Sequence, residues 1–141
     1  MSPRRAAPAA IAELPGTAQA LGEARAVVLA ALAGCPAAED AVMCVSELAA
    51  NAVCHSRSGL ASGTFSVAVW RLAHGAVRVA VTDAGSAAEP RVRLPSRSRP
   101  RGRGLAIVEG LSAAWGCEPA ADGRVTWCEI RPEITNERPI A

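Results

Sequence analysis

The stretch VSELAANAVCHS, Val45–Ser56, reads as a helix of small and apolar residues broken by three polar ones, Glu47, Asn51 and His55, each four apart. Residues four apart lie on the same side of a helix. An acid, an amide and an imidazole therefore stand in one line on an otherwise apolar element. Taken alone, such a line is the polar edge of a surface helix.

Upstream, the helix extends back to Pro36, an acceptable first-turn residue, and Glu39 and Asp40 favour its N-terminus. Ala41, Val45, Leu48, Ala49 and Ala52 form its buried side. A first helix is predicted from Thr17 to Ala33, where Ala20, Leu21, Ala24, Val27, Val28 and Ala31 make one apolar stripe. Thr17 suits its N-cap and Gly34 its stop. Residues 11–15 add a short strand. Downstream, residues 56–63 are a Ser/Gly turn. TFSVAVWRL alternates Phe65, Val67 and Val69 with smaller or polar residues, as a strand does. The turn AHG joins it to a second strand, AVRVAVTDAG, which makes a hairpin. Residues 86–101 hold three prolines and no periodicity, and are expected to be a mobile loop. GLAIVEGLSAAWG is a third helix. WGCEP and GRVTWCEIRP are two final strands joined through AADG. The order predicts an α+β two-layer sandwich: a mixed, mostly antiparallel sheet with about three helices on one face.

The 141 residues are enough for one domain with its own core. Half are apolar, which excludes a disordered chain. No apolar run reaches the roughly 18–20 residues of a membrane span. MSPRRAAPAA lacks the apolar segment of a secretory signal, so a cytoplasmic protein is expected. All 15 basic residues are Arg, which rules out Schiff-base and P-loop lysines. The net charge of +2, with one Phe and no Tyr, disfavours a nucleic-acid partner. Cys35, Cys44, Cys54, Cys117 and Cys128 are separated by 9, 10, 63 and 11 residues. That spacing suits neither a zinc site nor a disulfide framework. Most are expected to be small buried hydrophobes.

Two further polar signals follow the first. Asp83-Ala84-Gly85 closes a strand, which alone is a turn signal. GRGLAIV, Gly102–Val108, is a glycine-rich turn opening a helix, where exposed N–H groups suit an anion such as phosphate.

The order of these signals carries more than each one. VSELAANAVCH, VAVTDAG, GRGLAIVEGLSAAWG and GRVTWCEI together resemble the GHKL, or Bergerat-fold, ATP-binding domain, the histidine kinase-like ATPases. The likeness is to the short anti-sigma-factor serine/threonine kinases in particular. It covers residues 12–131, leaving 1–11 and 132–141 as expected flexible tails. The resemblance implies ATP and Mg2+. Asn51 would hold Mg2+ through its amide oxygen, and Glu47 would be the catalytic base. Asp83 would accept the adenine 6-amino group, and Gly85 would let backbone approach the base. Gly102, Gly104 and the Leu105 amide would cradle phosphates, with Arg101 and Arg103 reaching the β- or γ-phosphate. His55 would be structural. Two departures stand out. Ala87 occupies the position of a further glycine. Val125 occupies the position of a threonine next to adenine, while Thr126, one step on, faces the other side of the strand.

Six arginines, Arg91, Arg93, Arg97, Arg99, Arg101 and Arg103, fall within 13 residues with no acid among them. They fit a solvated basic lid, a lid closing on phosphate, or docking to an acidic surface. Two functions remain open. One is a kinase that phosphorylates a serine or threonine of a small regulatory partner, such as an anti-sigma antagonist. The other is a non-catalytic, ATP-dependent module that binds a partner such as a sigma factor. A homodimer is compatible with either.

Overall fold

The computed structural model describes residues 6–55, 63–84, 102–121 and 123–132. The predicted loop 86–101, residues 56–62 of the predicted turn, and the predicted tails except residues 6–11 and 132 lie outside these residues, and Ala10 and Ile11 of the N-terminal tail belong to a strand. The elements run β1 (Ala10–Pro15), α1 (Gln19–Ala31), α2 (Ala38–His55), β2 (Thr64–Arg71), β3 (Val77–Asp83), α3 (Gly102–Leu111), β4 (Ala114–Ala120) and β5 (Gly123–Ile130). Helix α3 stops short of the predicted Gly116, because Ala114 onward pairs with β5 as strand β4. The five strands form one sheet in the order β1-β2-β3-β5-β4. Every ladder among the described residues is antiparallel, so the sheet is not mixed as the sequence predicted. The α+β architecture with three helices stands.

The chain leaves β3, passes through α3 to the edge strand β4, and returns through β5 to lie beside β3. Asp83, the last residue of β3, thereby faces Arg124, the second residue of β5. The far end of the sheet carries the β2–β3 connection, a short 3-10 turn over Ala73–Gly75 in which His74 has φ 60° and Gly75 φ 80°. A shallow groove at that end is lined by Leu72, His74, Arg131 and Pro132, well away from Asp83.

The period of two sorts each strand into an inner and an outer row. Leu14, Phe65, Val67, Val69, Val77, Val79, Val81, Cys128 and Ile130 point inward and are buried. They meet Ala20, Ala24 and Val28 of α1 and Ala41, Val45, Leu48, Ala49 and Ala52 of α2 in one core. The alanines let two helices lie close to the sheet, so a core with a single Phe still packs. Arg71 fixes the end of α1: its Nε donates to the Ala31 carbonyl at 3.0 Å and its Nη2 to the Ala33 carbonyl at 2.9 Å. These satisfy carbonyls that the helix terminus leaves open. At the other end, Thr17 Oγ1 accepts from the Ala20 N–H at 3.3 Å, as its expected capping role requires.

The outer row departs from simple alternation. Arg78 and Ala80 of β3 are buried although no helix among the described residues covers that face. Trp70 and Trp127, from the neighbouring strands, provide the cover. The Arg78 guanidinium lies 4.3 Å from the Trp127 ring centroid and 5.7 Å from that of Trp70. Its Nη1 bonds Glu129 Oε2 at 2.8 Å. Both indoles are anchored, Trp127 Nε1 to Glu118 Oε2 at 3.2 Å and Trp70 Nε1 to the Ala6 carbonyl at 2.9 Å. Amphipathic rings over a paired guanidinium give this face a polar skin and a dry layer beneath it.

All five cysteines are free thiols. Cys44 and Cys128 are fully buried and Cys35 is half-buried against the core, as expected for most of the cysteines; Cys54 and Cys117 are exposed. The thiols of Cys44 of α2 and Cys128 of β5 lie against each other, with Ser112 beside both. The contact with Cys44 and burial push the Cys128 thiol far above the ordinary thiol range.

Candidate functional site

Helix α2 packs on β3 and lies beside α3. Cys44 reaches both β5 and Ser112, the residue that follows α3, and so marks the side of α2 turned toward them. Asn51 follows Cys44 by seven residues and shares its direction to within about 20°; Glu47 follows by three and lies about 60° to one side. Both are half-buried. The line read from the sequence therefore borders the α3 side of the helix. Glu47 is close enough to Cys44 for its charge to oppose thiol ionisation there. His55 ends the helix, and its side chain lies outside the described residues, as does that of Arg103. The backbone of Gly102–Gly104 forms the first turn of α3, where helix N–H groups are unpaired and favour an anion. Leu105 is half-buried against the core, and Val108 is fully buried. Gly85, Ala87 and Arg101 fall outside the described residues.

Asp83 sits where β3 ends, on the helix side of the sheet, in register with Arg124. Arg124 Nε is 3.9 Å from Asp83 Oδ1. Two steps along β5, Thr126 pairs with Val81 and so faces the same side as Asp83; Val125 pairs with Thr82 and faces outward. The sequence reading placed Thr126 on the other side of the strand from the threonine position next to adenine. The ladder puts its hydroxyl on the site's face, where it donates to Cys117 Sγ at 3.5 Å. Cys117 is exposed and Thr126 half-buried, so among the described residues this corner of the sheet is a polar floor open on the helix side.

Gly123 fixes the corner's main chain. A Cβ there would lie 1.8 Å from the Asp83 carbonyl oxygen and 2.9 Å from the Ala84 carbonyl carbon. The first residue of β5 thus sits directly against the Asp83–Ala84 peptide. The sequence used Gly123 only as part of the GRVTWCEI motif and gave Arg124 no role, because the importance of both lies in what they oppose across the ladder.

The chain's sequence matches the family model of the histidine kinase-like ATPase domain over residues 12–127. It belongs to that family. Among solved structures, it resembles the RsbU and RsbW domains of Rv1364c from Mycobacterium tuberculosis, with 26% identity and a TM-score of 0.64 over 86% of the chain. It also has the fold of the histidine kinase domain of the blue-light activated histidine kinase from Erythrobacter litoralis EL346, at 21% identity and a TM-score of 0.54 over 85% of the chain. The alignments cover 32% and 65% of those two chains, so this ATPase domain corresponds to part of each. No curated protein matches the chain.

The residues present fit the nucleotide that the family implies. Asp83 supplies an acceptor, α3 an N-terminus, and Asn51 a neutral oxygen donor. No group of three or more His, Cys, Asp or Glu side chains that could cage a metal occurs among the described residues. A Mg2+ ion carried mainly by phosphate and water needs only one or two protein ligands. No helix among the described residues is long and apolar enough to cross a membrane.

Proposed function

We propose that this ATPase domain binds ATP with Mg2+ between α2, α3 and the Asp83 corner of the sheet, and transfers the γ-phosphoryl group to a serine or threonine of a small regulatory protein. The observation that carries the reading is the placement of Glu47 and Asn51 on the side of α2 bordering α3, within a family whose domain is an ATPase. The likeness to a protein containing an RsbW domain supports a partner of the anti-sigma antagonist or sigma-factor kind.

Asp83 is an acceptor-only group when ionised, so it pairs with the 6-amino group of adenine and rejects the 6-oxo group of guanine. The first-turn N–H groups of α3, from Gly102 to Leu105, bind phosphate oxygens, with Arg101 and Arg103 as further ligands. Asn51 would hold the metal through its amide oxygen, and the metal would neutralise phosphate charge. Glu47, one turn before Asn51, accepts the proton of the partner's hydroxyl. As the partner's oxygen bonds to the γ-phosphorus, the bond from that phosphorus to the bridging oxygen breaks and ADP leaves.

The test is calorimetry with ATP and GTP, followed by transfer of labelled phosphate to small regulatory proteins of the same genome. Asp83→Asn is expected to weaken ATP binding and its preference over GTP. Asn51→Ala should lose the Mg2+-dependent part of binding. Glu47→Ala should keep ATP affinity within a few-fold and lose about 10²–10⁴ in transfer rate. Undetectable ATP binding by folded protein at millimolar nucleotide would refute the reading. Binding without transfer to any partner would leave an ATP-gated binding module.

A further inference from the structure

Asp83 and Arg124 are the last register pair of the β3–β5 ladder, and both side chains lie on the helix side of the sheet. The Asp83 side chain is 10% exposed and that of Arg124 27%, with Nε 3.9 Å from Oδ1. Gly123, the preceding residue, lies against the Asp83 carbonyl, where even a Cβ would not fit. The start of β5 therefore meets Asp83 twice, on the main chain through Gly123 and on the carboxylate through Arg124. An aspartate carboxyl group turns easily, because its terminal torsion is broad and two-fold. It also changes its hydrogen-bonding sense when protonated, becoming a donor as well as an acceptor. A cation within about 4–6 Å favours the charged, acceptor-only form. A directly opposite cross-strand partner also limits the directions the side chain takes.

We propose that Arg124 is a positioning residue for base selection: from the opposing strand it holds the Asp83 carboxylate turned to accept from an exocyclic amino group. This rests on the ATP reading above. Arg124 acts through Asp83, so it supports discrimination between a 6-amino and a 6-oxo purine and adds nothing to the binding of the phosphates. A carboxylate released from Arg124 turns away from the direction of the amino group. That turn costs adenine affinity while leaving guanine and phosphate binding as they were. An ion pair that only tied two strands together would instead affect all ligands alike.

The experiment compares the full chain with Arg124→Ala and Arg124→Lys. Calorimetry measures ATP, GTP and inorganic tripolyphosphate, each with Mg2+. The Arg124→Ala variant is expected to lose about two- to five-fold in ATP affinity, the scale of a partly exposed ion pair. Its GTP and tripolyphosphate affinities stay unchanged, so the ATP-to-GTP ratio falls by the same factor. Arg124→Lys keeps the charge on a different stem and restores most of the ratio. An Arg124→Ala protein that binds all three ligands like the parent would overturn the proposal. An equal loss on all three would also overturn it, assigning Arg124 to phosphate binding or to folding. If the parent protein itself binds no ATP, the proposed function fails first, and this inference falls with it.

Discussion

Gly123→Ala puts the Asp83 corner to a quantitative test. The added Cβ would sit 1.8 Å from the Asp83 carbonyl oxygen, and clearing 3.0 Å from that atom requires a shift of about 1.2 Å. The neighbours are all main chain: the oxygen and carbon of Asp83 and the carbon of Ala84. None can rotate away as a side-chain end would. Nor is the conformation the difficulty, because Gly123 is not among the described glycines with positive φ; the cost is one of space. A 1.2 Å separation stretches the terminal hydrogen bond of the β3–β5 ladder past useful length, at about 1 kcal/mol. Overpacking adds about 1–3 kcal/mol. The substitution should cost about 2–4 kcal/mol in total, which lowers the melting temperature by roughly 6–12 °C for a domain of this size. Gly110→Ala is the control. Gly110 lies in α3, and a Cβ added there would meet nothing within 4 Å, so alanine should stabilise by up to about 1 kcal/mol through helix propensity. Thermal unfolding followed by circular dichroism, with urea titration in parallel, reads both variants. A Gly123→Ala protein melting within about 1 °C of the parent would refute the claimed close approach.

Other outcomes follow from the outer face and the thiols. Glu129→Ala strands the buried Arg78 guanidinium and is expected to destabilise by about 3–5 kcal/mol in urea unfolding. Arg78→Met, which removes the charge and keeps the bulk beneath Trp127, should cost less; the reverse order would refute the burial argument. With a thiol reagent at mild alkaline pH, Cys54 and Cys117 should label at once in folded protein, while Cys44 and Cys128 label only as it unfolds. Rapid labelling of Cys128 would contradict its burial and its raised thiol pKa.

The sequence by itself determined what is local. The apolar stripes of α1 and α2, the β2–β3 hairpin and the glycine-led start of α3 follow from periodicity and turn chemistry, and the structure places them within two residues of expectation. The line of Glu47 and Asn51 was legible for the same reason: helical spacing alone puts them on one side. The tertiary structure decided everything that depends on which strand lies beside which. Running β4 along the edge and bringing β5 back beside β3 sets Arg124 opposite Asp83, Thr126 on the site's face and Cys128 against Cys44. It also buries Arg78 between two tryptophans, one on each neighbouring strand. A strand's side chains alternate with a period of two, so a one-residue change in register turns each of them to the opposite face. That register is set by long-range pairing between β3 and β5, which α3 and β4 separate along the chain, and no local pattern in either strand encodes it.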